Sequence, residues 1–216
     1  MAIFSSARRG PNPSAPRLWR RLPSIALALV AWLAVPGASL GADAVGEVNE
    51  ARGRSMGFLA GAVRRLEAGA EIYLDELLRT TAGARLALQL GPRTRLRLGE
   101  RTQIRIDKAV VEQGGDLVLE RGALLFDRPG DAGDAPFVVR TPFAIIATRG
   151  TRFFVGPSND VLGVFCERGR VVVRNAAGQV TLDPGEGTDL VAPDVAPTPP
   201  RPWGAERVAR ALASVS

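Results

Sequence analysis

Leu86, Leu88, Leu90, Leu96, Leu98, Ile104 and Ile106 all fall on even positions of one continuous stretch. A spacing of two puts these side chains on one face of an extended chain, whereas a helix needs spacings of three and four, so the stretch must form strands with one buried face. Gly91-Pro92 and Gly99-Glu100 interrupt the alternation. The strands are therefore short and joined by tight turns. Arg93-Thr94-Arg95-Leu96-Arg97-Leu98 is echoed eight residues later by Arg101-Thr102-Gln103-Ile104-Arg105-Ile106.

A longer echo links Leu119-Glu120-Arg121-Gly122-Ala123-Leu124-Leu125-Phe126 to Cys166-Glu167-Arg168-Gly169-Arg170-Val171-Val172-Val173, 47 residues on. Each copy reads as strand, glycine turn, strand. Further turns are expected at Gly114-Gly115, Pro129-Gly130 through Gly133, Gly156-Pro157-Ser158-Asn159, Ala177-Gly178 and Asp183-Pro184-Gly185. Glu71 to Thr80 is read as strand and turn. The expected class is all-β: a solenoid-like stacked or curled sheet of many short strands, with a β-sandwich as the alternative and a short C-terminal helix.

The formal charge of +6 is uneven along the chain. All five charges before Asp43 are arginines (Arg8, Arg9, Arg17, Arg20, Arg21), and removing them from 28 basic residues leaves 23 against 22 acidic ones. A chain starting near Asp43 is thus almost neutral, which argues against a nucleic-acid partner. The same arginines precede an 11-residue apolar run, Ile25 to Val35, followed by Pro36-Gly37 and small residues through Ala42 and Ala44. That order predicts a secretory signal peptide over 1–42, cleaved after Ala42 or Ala44, leaving no stable membrane anchor and placing the product in the periplasm or outside the cell.

Past Val191 the composition turns to proline and alanine, predicting an extended linker over 192–202 and a tail over 203–216 in which Ala205 to Ala213 is a short helix. The β domain between leader and linker is expected over 43–191. So short a helix needs a surface to dock on, and the protein's own core is the expected one.

With no histidine and one cysteine, the chain lacks the usual bases and ligands of Ser-His-Asp, Cys-His and zinc chemistry, and no cofactor or metal is expected. Asp131-Ala132-Gly133-Asp134 offers oxygen ligands but reads as a solvated turn. Cys166, within a strand-like run, is expected to be buried and inert. A carboxylate pair for glycoside hydrolysis would have to come from Asp75, Glu76, Glu120 or Glu167, and Glu120 and Glu167 hold equivalent places in the echo, which suggests a structural job. Arg93, Arg95, Arg97, Arg101 and Arg105 occupy odd positions opposite the leucines, a possible face for an anionic glycan or an acidic protein partner. In a chain with 27 arginines and a single lysine, such a stripe is also what arginine bias alone produces.

Thr148-Arg149-Gly150-Thr151-Arg152-Phe153, reached through Thr141-Pro142-Phe143-Ala144-Ile145-Ile146-Ala147 and left through Phe154-Val155, resembles the signature of the FecR domain, an extracytoplasmic all-β module. Physically, Gly150 within a β-branched and aromatic run marks a strand that bends or closely approaches another backbone. The resemblance extends from about Val45 to Val191, taking in Val45-Gly46-Glu47-Val48, Asp75-Glu76-Leu77-Leu78-Arg79-Thr80, the Leu86 to Leu98 alternation, Leu119 to Phe126 and Glu167-Arg168-Gly169. The signature residues of interest are Thr148, Arg149, Gly150, Thr151 and Phe153. They identify a fold more than a function.

Regulatory members of that family add a cytoplasmic anti-sigma segment, a membrane span and a transporter-contacting domain. Here about 24 residues precede the apolar run, too few for a folded sigma-binding domain, so the relay itself is not expected of this chain. The expected function is a non-catalytic binding or scaffolding module of the cell envelope with a protein partner. The alternatives are a regulator acting with separately encoded partners in iron-siderophore-type signalling, and a glycan-active envelope enzyme using carboxylates.

Overall fold

The computed structural model describes residues 43–110, 114–130 and 136–216. The segment read as a leader and the Asp131 to Asp134 turn lie outside these. The strands are β1 (Ala44–Arg52), β2 (Ser55–Leu59), β3 (Ala62–Arg65), β4 (Glu71–Tyr73), β5 (Leu77–Thr80), β6 (Arg85–Leu90), β7 (Thr94–Leu98) and β8 (Gln103–Val110). They continue as β9 (Gly114–Arg121), β10 (Leu124–Asp127), β11 (Phe137–Arg140), β12 (Ile145–Ser158), β13 (Val161–Arg174), β14 (Gln179–Leu182), β15 (Glu186–Leu190) and β16 (Arg201–Pro202), before helix α1 (Ala205–Ala213). The protein is mostly strand, a curled, open half-barrel sheet with one short C-terminal helix, as the alternation and turn spacing predict.

The sheet has two arms. The first runs β3-β2-β5-β8-β9-β11 and continues through the start of β12, the end of β13 and β14. The second runs β4-β1-β6-β7-β10 and continues through the end of β12, the start of β13, β15 and β16. The 14-residue strands β12 and β13 bend midway and belong to both arms. The two copies of the eight-residue echo, β7 and β8, do not pair with each other: β7 lies between β6 and β10, and β8 between β5 and β9. The glycines of the longer echo share a role, because Gly122 and Gly169 both stand with positive φ where the chain passes between arms.

The core lies between the arms. Leu86, Leu88, Leu90, Leu96, Leu98, Ile104 and Ile106 are at most 3% exposed and belong to one apolar cluster with Leu117, Phe126, Phe153 and Val171. In the second arm β10, β12 and β13 are buried on both faces. Their outer side chains Leu125, Phe154 and Phe165 form a second cluster under Trp203, Ala211 and Val215, so α1 docks on the protein's own sheet. The Trp203 ring stacks on Phe165 at 5.2 Å between centroids and fills space left by Gly187, where a β-carbon would lie 2.2 Å from the indole nitrogen. The proline-rich segment is laid along β15: Thr198 NH donates to Asp189 O (3.1 Å), Asp189 NH to Thr198 Oγ1 (2.9 Å), and Arg201–Pro202 pair with Glu186–Gly187.

Candidate functional site

The motif Thr148 to Phe153 forms the bend of β12. Arg149 pairs with Arg170 and Arg152 with Arg168, with the register shifting between them. Gly150 (φ 62°) and Gly169 (φ 85°) take the left-handed conformation that a bend of this sharpness requires. Neither site has room for a side chain. A β-carbon on Gly150 would stand 2.5 Å from the Cα of Gly130, and one on Gly169 would stand 2.6 Å from the carbonyl oxygen of Gly150. Thr148 and Thr151 are buried at the bend, and neither hydroxyl has a hydrogen-bond partner among the described residues. Phe153 is fully buried against Phe126, 5.2 Å between ring centroids, and Arg149 is exposed. Apart from Arg149, the motif shapes the sheet and presents little to solvent.

Cys166 is buried beside the bend, its thiol directed at Gly169 O (3.5 Å). Burial, reinforced by the charge of Asp183, pushes the thiol up to about 11, so it stays protonated and unreactive at neutral pH.

The five arginines of the stripe are divided between the arms. Arg95 and Arg97, exposed on β7, border a small hollow with Leu125, Asp127 and Arg152. Arg93 is exposed just before β7, and Arg101 is exposed in the β7–β8 turn with φ 51°. Arg105 is on β8 in the other arm, 3.6 Å from Glu120. The sequence spacing does not reveal this division, because face parity carries over from β7 to β8 only if the two strands are neighbours in the sheet.

Asp127 anchors an ion network that the spacing gave no hint of. Arg152 Nη1 donates to Asp127 Oδ2 (3.0 Å), Arg168 Nη2 to Asp127 Oδ1 (2.7 Å) and Arg152 Nε to Glu167 Oε2 (2.9 Å). Glu120 is engaged by Arg105 and by the Gln103 amide. Glu76 is fully buried, accepts both Arg64 Nε (3.0 Å) and Nη2 (2.8 Å), and also accepts the Tyr73 NH. Each of these four carboxylates is occupied structurally, and Glu120 and Glu167 sit on strands that are not neighbours. Among the described residues no group of three or more His, Cys, Asp or Glu side chains can hold a metal ion.

A mainly apolar concave site lies elsewhere, at the open rim between the arms. A groove of about 420 Å³ is lined on one side by Thr141, Pro142 and Phe143, on the other by Pro157, Asp160, Val161 and Leu162, with Leu119, Glu120, Arg121, Gly122, Leu190 and Val191 completing it. Two tight hairpin tips make its walls. Thr141 Oγ1 accepts the Phe143 NH (3.2 Å) and Ala144 NH (2.9 Å) and donates to Ala144 O (2.9 Å), fixing the Pro142-Phe143 tip. Asn159 and Asp160 both have positive φ, 53° and 63°, the signature of a two-residue turn matched to the twist of its strands. The lining is mainly apolar, Val191 is 60% exposed, and Leu119 and Leu190 are buried beneath. Sequence reading placed a turn at the Asn159 tip but none at Pro142-Phe143, and it did not show that the two face one another.

Residues 76–172 match the family model described as FecR protein. That span is similar to a FecR domain. The matched span begins at the buried Glu76 and ends in β13, so the similarity takes in the bend and both hairpin tips of the groove, while β1 to β4, β14 to β16 and α1 lie outside it. Two crystal structures of a proposed anti-sigma factor from Parabacteroides distasonis ATCC 8503 share the fold. The 2.50 Å structure gives a TM-score of 0.53 at 21% identity over 63% of each chain. The 1.65 Å structure gives 0.52 at 19% identity over 63% of this chain and 64% of that one. The chain thus spans just under two thirds of the length of the solved chains it resembles. No curated protein matches it.

Proposed function

We propose that this protein is a non-catalytic binding module of the cell envelope that works in signalling by holding an extended, apolar segment of a protein partner in the groove between its hairpin tips. The observation that carries the reading is the groove itself, a pre-formed concave surface with Pro142, Phe143, Pro157, Val161, Leu162, Leu190 and Val191 in its lining. Of the acids that line it, Glu120 is already paired with Arg105 and Asp160 lies on an exposed turn, so the groove offers anchoring more readily than acid–base chemistry. A protein partner is favoured by the FecR match and by the description of the similar crystal structures as a proposed anti-sigma factor. FecR-family proteins are envelope-associated. An exported location agrees with the leader-like start of the sequence, and no helix among the described residues is long and apolar enough to cross a membrane.

Site-specific photo-cross-linking in envelope preparations tests this. A cross-linker at position 143 or 191 is expected to yield the same adduct, mapping to an extended apolar peptide, and one at position 172 on the outer face of the first arm is expected to yield none. Adducts from position 172 alone would move the binding surface to the sheet face. Turnover of peptidoglycan fragments or envelope polysaccharides that disappears in Glu120→Gln would replace the module by an enzyme.

A further inference from the structure

One guanidinium ties together two strand segments that border the groove, the end of β12 and the end of β15. Arg207, on α1, donates from Nε to Ser158 Oγ (2.9 Å), from Nη1 to Asp189 Oδ2 (3.4 Å) and from Nη2 to Asp189 Oδ1. Ser158 is the residue after the groove-lining Pro157, and Asp189 is the residue before the groove-lining Leu190. Between β12 and β15 lies β13, and at Gly163, opposite both Gly156 and Asp189, it carries no side chain. The Trp203 indole occupies that place, where a β-carbon on Gly163 would lie 2.8 Å from the ring. Arg207 stacks over the same indole at 3.7 Å and so reaches across β13 to both neighbours. The side chains of Arg207 and Asp189 are each 14% exposed, so the fork is shielded from water and holds its geometry better than a surface pair.

The tip it holds needs holding. Asn159 and Asp160 are exposed residues in a left-handed conformation, and the ladder beyond them ends at Ser158–Val161. We propose that Arg207 is a positioning residue for the groove: by fixing Ser158 to Asp189 over Trp203, the C-terminal segment sets the curl of the second arm's rim and hence the placement of Pro157 to Leu162 against the Pro142-Phe143 tip. The inference rests on the groove being the binding site, and it assigns to the tail a control over that site which the family match, ending in β13, does not cover.

Amide hydrogen exchange on the full chain, without any partner, tests it. In Arg207→Ala, exchange in the 158–162 and 190–191 segments is expected to accelerate about tenfold while β7 keeps its protection, the pattern of a local opening. Ser158→Ala, which removes only the bond at the tip, is expected to accelerate 158–162 alone. A tip that stays protected in both variants overturns the proposal and leaves Arg207 as an anchor for α1. Acceleration spread evenly through β7 in Arg207→Ala, together with no change in Ser158→Ala, also overturns it. Because no partner is present, the outcome stands whether or not cross-linking at the groove succeeds.

Discussion

Gly150 and Gly61 both have positive φ, yet they differ in what surrounds them: nothing stands within 4 Å of a β-carbon on Gly61, whereas one on Gly150 meets the Gly130 backbone at 2.5 Å. The left-handed conformation alone makes Gly61→Ala cost about 1 kcal/mol. Gly150→Ala adds a clash with the Gly130 backbone, made from within a strand that cannot move without disturbing its ladders, and is expected to cost about 3 kcal/mol or more in urea melts. Equal costs at the two sites would show that Gly150 serves conformation only. Cys166 makes a pH-dependent counterpart. Its folded-state value, about 11, lies above the ordinary 9.0, so the stability it contributes is complete below pH 9 and fades as the pH rises through 11. Wild-type protein is expected to lose about 2 kcal/mol more than Cys166→Ala between pH 8 and pH 11, measured by denaturant midpoints. The glycine in the motif was legible as a bend. Its contact with Gly130 was not, because the two residues are 20 positions apart and only the folded sheet brings them together.

Among elements, legibility depended on how many faces each strand buries. Strands β6, β7 and β8 bury one face and read directly as alternation, so Leu96→Ala is expected to cost about 3 kcal/mol and Arg97→Ala under about 0.5 kcal/mol, compared in urea melts. Similar losses would invert the faces. The runs Leu124-Leu125-Phe126, Phe153-Phe154-Val155 and Val164-Phe165-Cys166 do not alternate, and the structure shows why: the core takes one face and α1 with Trp203 takes the other. Unbroken apolar runs are the mark of strands covered on both sides, a signal that, set beside Trp203, points to the docking face of the helix. The proline-rich segment shows a contact that its composition does not announce. Its composition suggests a linker, yet Thr198 and Arg201–Pro202 lay it along β15. Proline forbids ladder donation at its own position but leaves the neighbouring amides free to pair.

At the scale of the whole molecule, the class of fold followed from period and punctuation, whereas the pairing order did not. Strands adjacent in sequence, such as β7 and β8, end in different arms, and strands far apart, such as β7 and β10, become neighbours. The groove depends on that non-local order and so was not visible from any one segment. Among the described residues, the bent pair β12 and β13 is the single place where both arms pass continuously through the same strands. Neither arm can therefore reach its native edge until residues 145–174 are in place, although most of their other strands precede that pair in the chain. Closing such distant contacts is slow, and it makes completion of the two arms one kinetic event rather than two. A lesion at the bend should then be felt in the rate at which the protein refolds, while one on the outlying β2–β3 hairpin should be felt in the rate at which it comes apart.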